Sequence, residues 1–330
     1  MTARTHMAEA ALLGILRDDT EYVSGASLCA ELKVSRTAVW KRIKNLRKMG
    51  YRIDASRGRG YKLADADVKP FNGVEILSEL STEFVGRDIY FYDELTSTNM
   101  KASELAAAGA ANGTVVISDS QSGGKGRLGR DWHSPAGSNL YTSIILRPEI
   151  SPAVAPSMTL VFAVAVAEAI GEFTSTRPSV KWPNDILLND RKVAGILTEM
   201  SSDMDRVAYI VSGIGVNINM DINKVPKILK NIVISLNDRA KEDISRAHFA
   251  RTLYSSVEKW YKVYIVEGCA PIVGAWRKYF DAEGRKISVN TIDRVVEGLC
   301  MGIDDGGALL LREPSGEVVK ITSGEMAVSG

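Results

Sequence analysis

The 330 residues, 45% hydrophobic and 25% charged with a net charge of +1, have the balance of an ordinary globular chain, long enough for two or three domains. Three widely spaced cysteines (Cys29, Cys269, Cys300) and three scattered histidines (His6, His133, His248) speak against a disulfide framework, a zinc site or an H-E-x-x-H centre. No basic-then-apolar leader opens the sequence and no run approaches the roughly 18 apolar residues of a membrane span, so the expectation is a cytoplasmic protein with no membrane partner.

The first stretch is basic. Eleven of the 41 Lys and Arg residues, but only one of the 40 acids (Asp54), fall between Lys33 and Lys62, as in many nucleic-acid binding modules. Apolar spacing predicts a helix over Ala8–Leu16, then two more over Ser27–Leu32 and Ser35–Met49 joined by Lys33-Val34, with Ser35 as an N-cap. Leu28, Leu32, Val39, Ile43 and Leu46 are assigned to the core, while Arg36, Lys41, Arg42, Lys44, Arg47 and Lys48 take the outer faces. Two short strands, Tyr51–Asp54 and Tyr61–Leu63, flank a tip of Ser56-Arg57-Gly58-Arg59-Gly60. Residues 1–65 therefore read as a winged helix-turn-helix with Ser35, Arg36, Thr37, Lys41, Arg57 and Arg59 as DNA contacts. A basic helical bundle without a DNA role is the plainer alternative. Polar Asp65–Pro70 is the expected linker, followed by a short helix over Val74–Leu80.

Residues 66–283 alternate strand and helix signals. Strands are expected at Asp88–Leu95, Thr114–Ser118, Leu140–Leu146, Ile186–Leu188, Lys192–Met200 and Arg206–Asn219. Helices are expected at Ser97–Ala108, Val154–Phe173, Ser245–Glu267 and Ile272–Tyr279. Tight turns such as Asn189-Asp190 favour a mixed sheet over a doubly wound parallel one. Residues 284–330 change to short strands, Lys286–Asn290, Arg294–Ile303, Ala308–Arg312 and Val318–Thr322, which suit a small β-barrel.

The loop Gln121–Trp132 reads Gln-Ser-Gly-Gly-Lys-Gly-Arg-Leu-Gly-Arg-Asp-Trp and hangs Lys125, Arg127 and Arg130 from a glycine-rich backbone. Such a loop is expected to be loose until an anionic ligand gathers it in. Gly124, Gly126 and Gly129 match the dinucleotide fingerprint, but no helix can begin promptly in Asp-Trp-His-Ser-Pro. The P-loop pattern fails as well, because Gly126 follows Lys125. A lid over a phosphate-bearing ligand and a solvated basic loop both remain. Thr96-Ser97-Thr98-Asn99 lies at a strand-to-helix junction, where its hydroxyls either cap the helix or face a ligand. Lys181-Trp182-Pro183-Asn184-Asp185 sets a lysine at a strand end, aimed into a cleft or left as an edge charge. Glycines in Arg191–Leu197 and Gly213-Ile214-Gly215-Val216-Asn217 allow a ligand or another backbone to come close.

In this order, the Thr-Ser-Thr-Asn turn, the Gly/Arg loop, the Lys-Trp-Pro-Asn-Asp segment and Gly-Ile-Gly-Val-Asn resemble the biotin protein ligases, and the winged helix in front resembles their bifunctional, gene-repressing type. The resemblance implies an α+β multidomain chain with a class II synthetase-like catalytic domain and an SH3-like C-terminal barrel. It also implies a two-step reaction: biotin and ATP, with Mg²⁺, give biotinyl-5′-adenylate, and biotin then passes to a lysine of a biotin carboxyl carrier protein. The adenylate would act as corepressor for a homodimer on operator DNA. Arg127 and Lys181 are the implied catalytic residues. Ser97, Thr98, Asn99, Gln121, Lys125, Gly126, Arg127, Lys181 and Gly195 would bind biotin. Arg127, Arg130, Trp132, Asn184 and Asn217 would bind ATP or the adenylate, and Asp185 the metal. Lys125 and Leu128 depart from the family pattern, which commonly has arginine at the first position and often a basic residue at the second. Two other functions are weighed: a regulator that binds biotin without transferring it, and a lipoate or octanoyl transferase.

Overall fold

The computed structural model describes residues 3–4, 7–64, 70–239 and 243–328. The expected linker falls almost wholly on residues 65–69, outside the described residues.

A two-residue strand, β1 (Ala3–Arg4), precedes α1 (Met7–Asp18), α2 (Gly25–Leu32) and α3 (Arg36–Lys48). Ser24 and Ser35 cap the last two helices by accepting from Ser27 N and Ala38 N, and Lys33 makes the left-handed turn between them. Leu28, Val39, Ile43 and Leu46 are buried as expected, while Leu32 is only partly covered. The wing is β2 (Ile53–Ser56) paired with β3 (Gly60–Leu63), and Tyr61 also exchanges backbone hydrogen bonds with Val23. Gly60 has φ 113°, and a Cβ there would collide with the Val23 carbonyl. The first wing strand begins two residues later than expected because Tyr51 turns into the core, where its hydroxyl donates to Glu75. Arg47 is exposed as expected, and its guanidinium also donates to the Ile53 carbonyl and ties α3 to the wing.

Helix α4 (Gly73–Ser78), capped by Asn72, joins this unit to the rest. Glu75 on α4 is fully buried and accepts from Arg17 at 2.8 Å and Tyr51 at 3.0 Å. Arg251 donates to the Glu75 carbonyl at 2.9 Å and pairs with Glu79 at 2.5 Å.

The central sheet contains β4 (Ile89–Leu95), β5 (Val115–Gln121), β6 (Leu140–Leu146), β7 (Ser179–Lys181), β8 (Asp185–Leu188), β9 (Arg191–Ser202) and β10 (Val207–Val216). Its order is β1-β4-β5-β6-β10-β9-β8-β7. Among the described strands only β4 and β5 pair in parallel, through the crossover α5 (Thr98–Ala107), so the sheet is mixed as predicted. Alternation along β5 divides the two cores. Val115 and Ile117 join the main one, and Val116 faces Ala102 and Ala106 of α5. Helix α6 (Met158–Gly171) lies against the main face, with α7 (Arg246–Glu267) and α8 (Ala270–Arg277) around it. The helix expected from Val154 starts late because Pro152 and Pro156 leave the preceding residues 3-10. Residues 152–171 do reach the length and composition of a span, contrary to expectation, with an 18-residue window of mean hydropathy 1.9, but 72% of that window is buried inside the protein.

The C-terminal unit is a five-stranded antiparallel sheet of β11 (Lys286–Asn290), β12 (Val295–Ile303), β13 (Leu309–Arg312), β14 (Val318–Ile321) and β15 (Glu325–Val328), ordered β14-β13-β12-β11-β15. Sequence reading missed β1 and β15.

Candidate active site

One cavity of about 790 Å³ opens where α5, β5, β7, β8, β9 and β10 meet the loops and β15. Every residue assigned from sequence to ligand or metal lines it: Ser97, Thr98, Asn99, Gln121, Lys125, Gly126, Arg127, Arg130, Trp132, Lys181, Asn184, Asp185, Gly195 and Asn217. They come from five separate parts of the chain.

One end is a polar cluster. Ser97 makes no cap; instead Gln121 Oε1 accepts from Thr98 N at 2.8 Å and caps α5 from a neighbouring strand. Gln121 Nε2 in turn donates to Ser134 Oγ at 3.0 Å. The Ser143 hydroxyl reaches Thr98 Oγ1 (2.8 Å) and Asn99 Oδ1 (2.7 Å), while Asn99 Nδ2 donates to Glu199 at 2.7 Å. A Cβ on Gly213 would strike the Asn99 amide, so glycine is what lets Asn99 lie flat on β10. These donors and acceptors are fixed before any ligand arrives.

The cations gather at the other end. The Gln121–Trp132 loop carries hydrogen bonds of its own. Gly126 N donates to Arg130 O at 2.7 Å and Trp132 N to Gly124 O at 2.8 Å, closing a short hairpin. Arg127 donates to Asn184 Oδ1 and to the Gly324 carbonyl, both at 3.2 Å, and Arg130 pairs with Glu325 at 2.5 Å. The loop thus finds protein acceptors on Asn184, Gly324 and Glu325. Burial lowers the pKa of Arg127 from its ordinary value; Asp185 and Glu325 oppose that shift and Arg130 adds to it. The ammonium groups of Lys181 and Lys125 make no hydrogen bond or ion pair among the described residues.

Three of these residues also make close contacts within the protein. Trp132 lies across the glycine floor: a Cβ on Gly195 or Gly215 would come 2.8 or 2.5 Å from its indole. Asn217 is buried, and its amide nitrogen donates to the Ile234 carbonyl at 3.2 Å, which pins the neighbouring segment. Asp185 pairs with Lys192 at 2.7 Å, so a divalent cation at that carboxylate would have to displace an ammonium. Sequence reasoning missed Lys192, whose ammonium also lies 5.0 Å from the Trp132 ring centre. A lysine after a tight turn gives no signal on its own. It also missed Ser143, Glu325 and the apolar flank of Val225, Ile228, Leu229 and Ile232. The cavity thus suits a ligand with a polar head at Thr98, Asn99 and Gln121, an anionic middle and an apolar-faced ring.

The profile of the Biotin/lipoate A/B protein ligase family matches residues 91–217, that of an HTH domain residues 9–62, and that of the Biotin protein ligase C terminal domain residues 284–329. The Bifunctional ligase/repressor BirA of Bacillus subtilis (strain 168) is 41% identical over 306 residues, spanning 93% of this chain and 94% of the relative. Its Escherichia coli (strain K12) counterpart is 32% identical, spanning 93% of each. Among solved structures, the biotin protein ligase from Aquifex aeolicus in complex with biotin and ATP superposes with a TM-score of 0.63 at 26% identity, covering 74% of this chain and 99% of that one. The chain therefore belongs to the biotin protein ligase family, in its bifunctional ligase/repressor branch.

Proposed function

We propose that the cavity joins biotin to ATP in two steps, and that one observation above all supports this: a rigid polar cluster and five cationic side chains share a single cleft. In the first step a biotin carboxylate oxygen attacks the α-phosphorus of ATP, and the bond to pyrophosphate breaks. The nucleophile is already an anion and needs no base. The task is to bring two anions together and to hold charge on phosphoryl oxygens, where each well-placed donor is worth about 3 kcal/mol. In the second step a lysine amine of a biotin carboxyl carrier protein attacks the acyl carbon and AMP leaves.

In this reading Thr98, Asn99 and Gln121, with Ser97, hold the ureido ring, and Gly126 and Gly195 line the pocket around it. Lys181 meets the carboxylate and the bridging oxygen, and Arg127 the carboxylate and α-phosphate. Lys125 and Arg130 serve the phosphates and the lid, while Trp132, Asn184 and Asn217 border the adenylate. A nucleotide-borne Mg²⁺ would add phosphate charge neutralisation; Asp185 is the nearest carboxylate, and its pairing with Lys192 leaves that ion to be held mainly by the phosphates. Lid closure excludes water from the acyl-adenylate. The working division is 1–65 for DNA, 66–283 for catalysis and 284–330 for the C-terminal barrel. Repression would use a two-fold homodimer presenting two winged helices, with Arg36, Thr37, Lys41, Arg57 and Arg59 toward DNA. A cytoplasmic location fits both partners.

Biotin-dependent exchange of pyrophosphate into ATP, followed by biotin transfer to a carrier domain, tests the ligase. Binding without exchange would leave only the non-catalytic regulator, and stronger exchange with lipoate or octanoate would move the chain to that branch. Sedimentation with biotin and ATP tests the dimer.

A further inference from the structure

Trp40 is 52% exposed, whereas Trp182 and Trp276 are buried and Trp132 and Trp260 partly so. Helix α3 could have carried any polar residue at this position. Its buried strip is Val39, Ile43 and Leu46, and at about 100° per residue Trp40 falls beside Arg36 and Arg47, on the flank that faces the wing. Arg47 marks that flank directly, since it grips the Ile53 carbonyl two turns further along. The indole therefore lies on the surface between recognition helix and wing. Arg36, Thr37, Lys41 and Lys44 on the helix and Arg57 and Arg59 on the wing tip are all exposed around it. Lys44 sits 5.3 Å from the Trp40 ring centre and holds it against the helix.

A surface so charged fits a polyanion. An indole in its midst fits the apolar feature that a DNA major groove offers, the C5-methyl group of thymine. Trp40 lies in the first half of α3, the part of a recognition helix that reaches base edges. We propose that Trp40 is a specificity-determining residue that packs its indole on a thymine methyl in each operator half-site, while the surrounding cations bind phosphate. This rests on the DNA-binding reading above.

The test starts by enriching duplexes from a random-sequence pool with the full-length protein, biotin and ATP. Affinities are then measured for the enriched duplex and a scrambled one across a salt series. Trp40→Ala should lower affinity for the enriched duplex about tenfold, with the scrambled duplex and the salt slope unchanged within about twofold. Arg57→Ala should instead weaken both duplexes and reduce the slope by about one. Replacing thymine by uracil, one position at a time, should cost the parent about threefold or more at one position per half-site and cost Trp40→Ala nothing there. Equal losses on both duplexes, an unchanged ratio, or indifference of the parent to uracil at every position each overturn the assignment. Trp40→Phe, which keeps an apolar ring, should recover most of the ratio; recovery by Trp40→Lys instead would also overturn it. A parent that enriches no duplex at all overturns the DNA-binding reading together with this one, a result that no Trp40 defect could mimic.

Discussion

Trp132 occupies the volume that a side chain on Gly215 would need: a Cβ there would stand 2.5 Å from the indole. Gly215→Ala should push the ring off the floor, cost about 1–3 kcal/mol in stability and speed adenylate dissociation about tenfold. Urea unfolding and release of labelled adenylate measure the two effects. In a Trp132→Ala background the same glycine change should add almost nothing to either, because the clash is gone.

Arg127→Gly should impair retention of the adenylate more than its formation. The guanidinium is half-buried, bridges Asn184 and the Gly324 carbonyl, and closes the lid as well as meeting anions. Pyrophosphate exchange should fall less than tenfold while free adenylate accumulates and labels bystander lysines. Retention equal to the parent's would remove the role assigned to Arg127.

Glu325→Gln should have a small effect. The Arg130–Glu325 contact is short, but its partners are 65% and 34% exposed, and exposed pairs contribute about 0–1 kcal/mol. Adenylate dissociation should quicken by no more than about fivefold, and by less at high salt. A fiftyfold change would mean that the C-terminal sheet holds the lid by more than this pair.

Glu75→Ala should be severe. It leaves Arg17 and Arg251 with Glu79 as their one shared carboxylate at a buried junction between α1, α4 and α7, and such losses cost about 3–5 kcal/mol. Denaturant unfolding should show the loss, and hydrogen exchange should speed up in α1 and α4 before the central sheet.

Glu258 sets a pH dependence. Burial alone would raise its pKa, but it accepts backbone hydrogen bonds from Glu83, Phe84 and Val85 at 2.8–3.0 Å, and these, with Lys262, hold it below the ordinary 4.5. A depressed folded-state value means the contribution is complete above about pH 4.5 and disappears as pH falls through the folded pKa. The stability gap between the parent and Glu258→Gln should therefore be constant from pH 7 to 5 and close below 4.5.

Local chemistry made much of this legible. Serine caps, apolar periodicity and the Asn189-Asp190 turn placed most elements to within a few residues, and the four motifs identified the cavity lining. The failures came from long-range pairing. That Gln121 rather than Ser97 caps α5 depends on β4 lying beside β5, which no window of sequence reveals. Glycine content suggested a loose lid but could not show the hairpin register or the acceptors on Asn184, Gly324 and Glu325 that its cations meet. Lys192 gave no signal until its strand placed it between Asp185 and Trp132.

The Arg130–Glu325 contact spans 195 positions of chain. During synthesis, everything from Ser97 to Asn217 can emerge and fold while β15 is still inside the ribosome. A nascent chain would thus own its cleft and its cations before it owned the strand that fastens them. Because that pair is exposed, completing the strand adds only a modest restraint to a cleft that the earlier residues have already built.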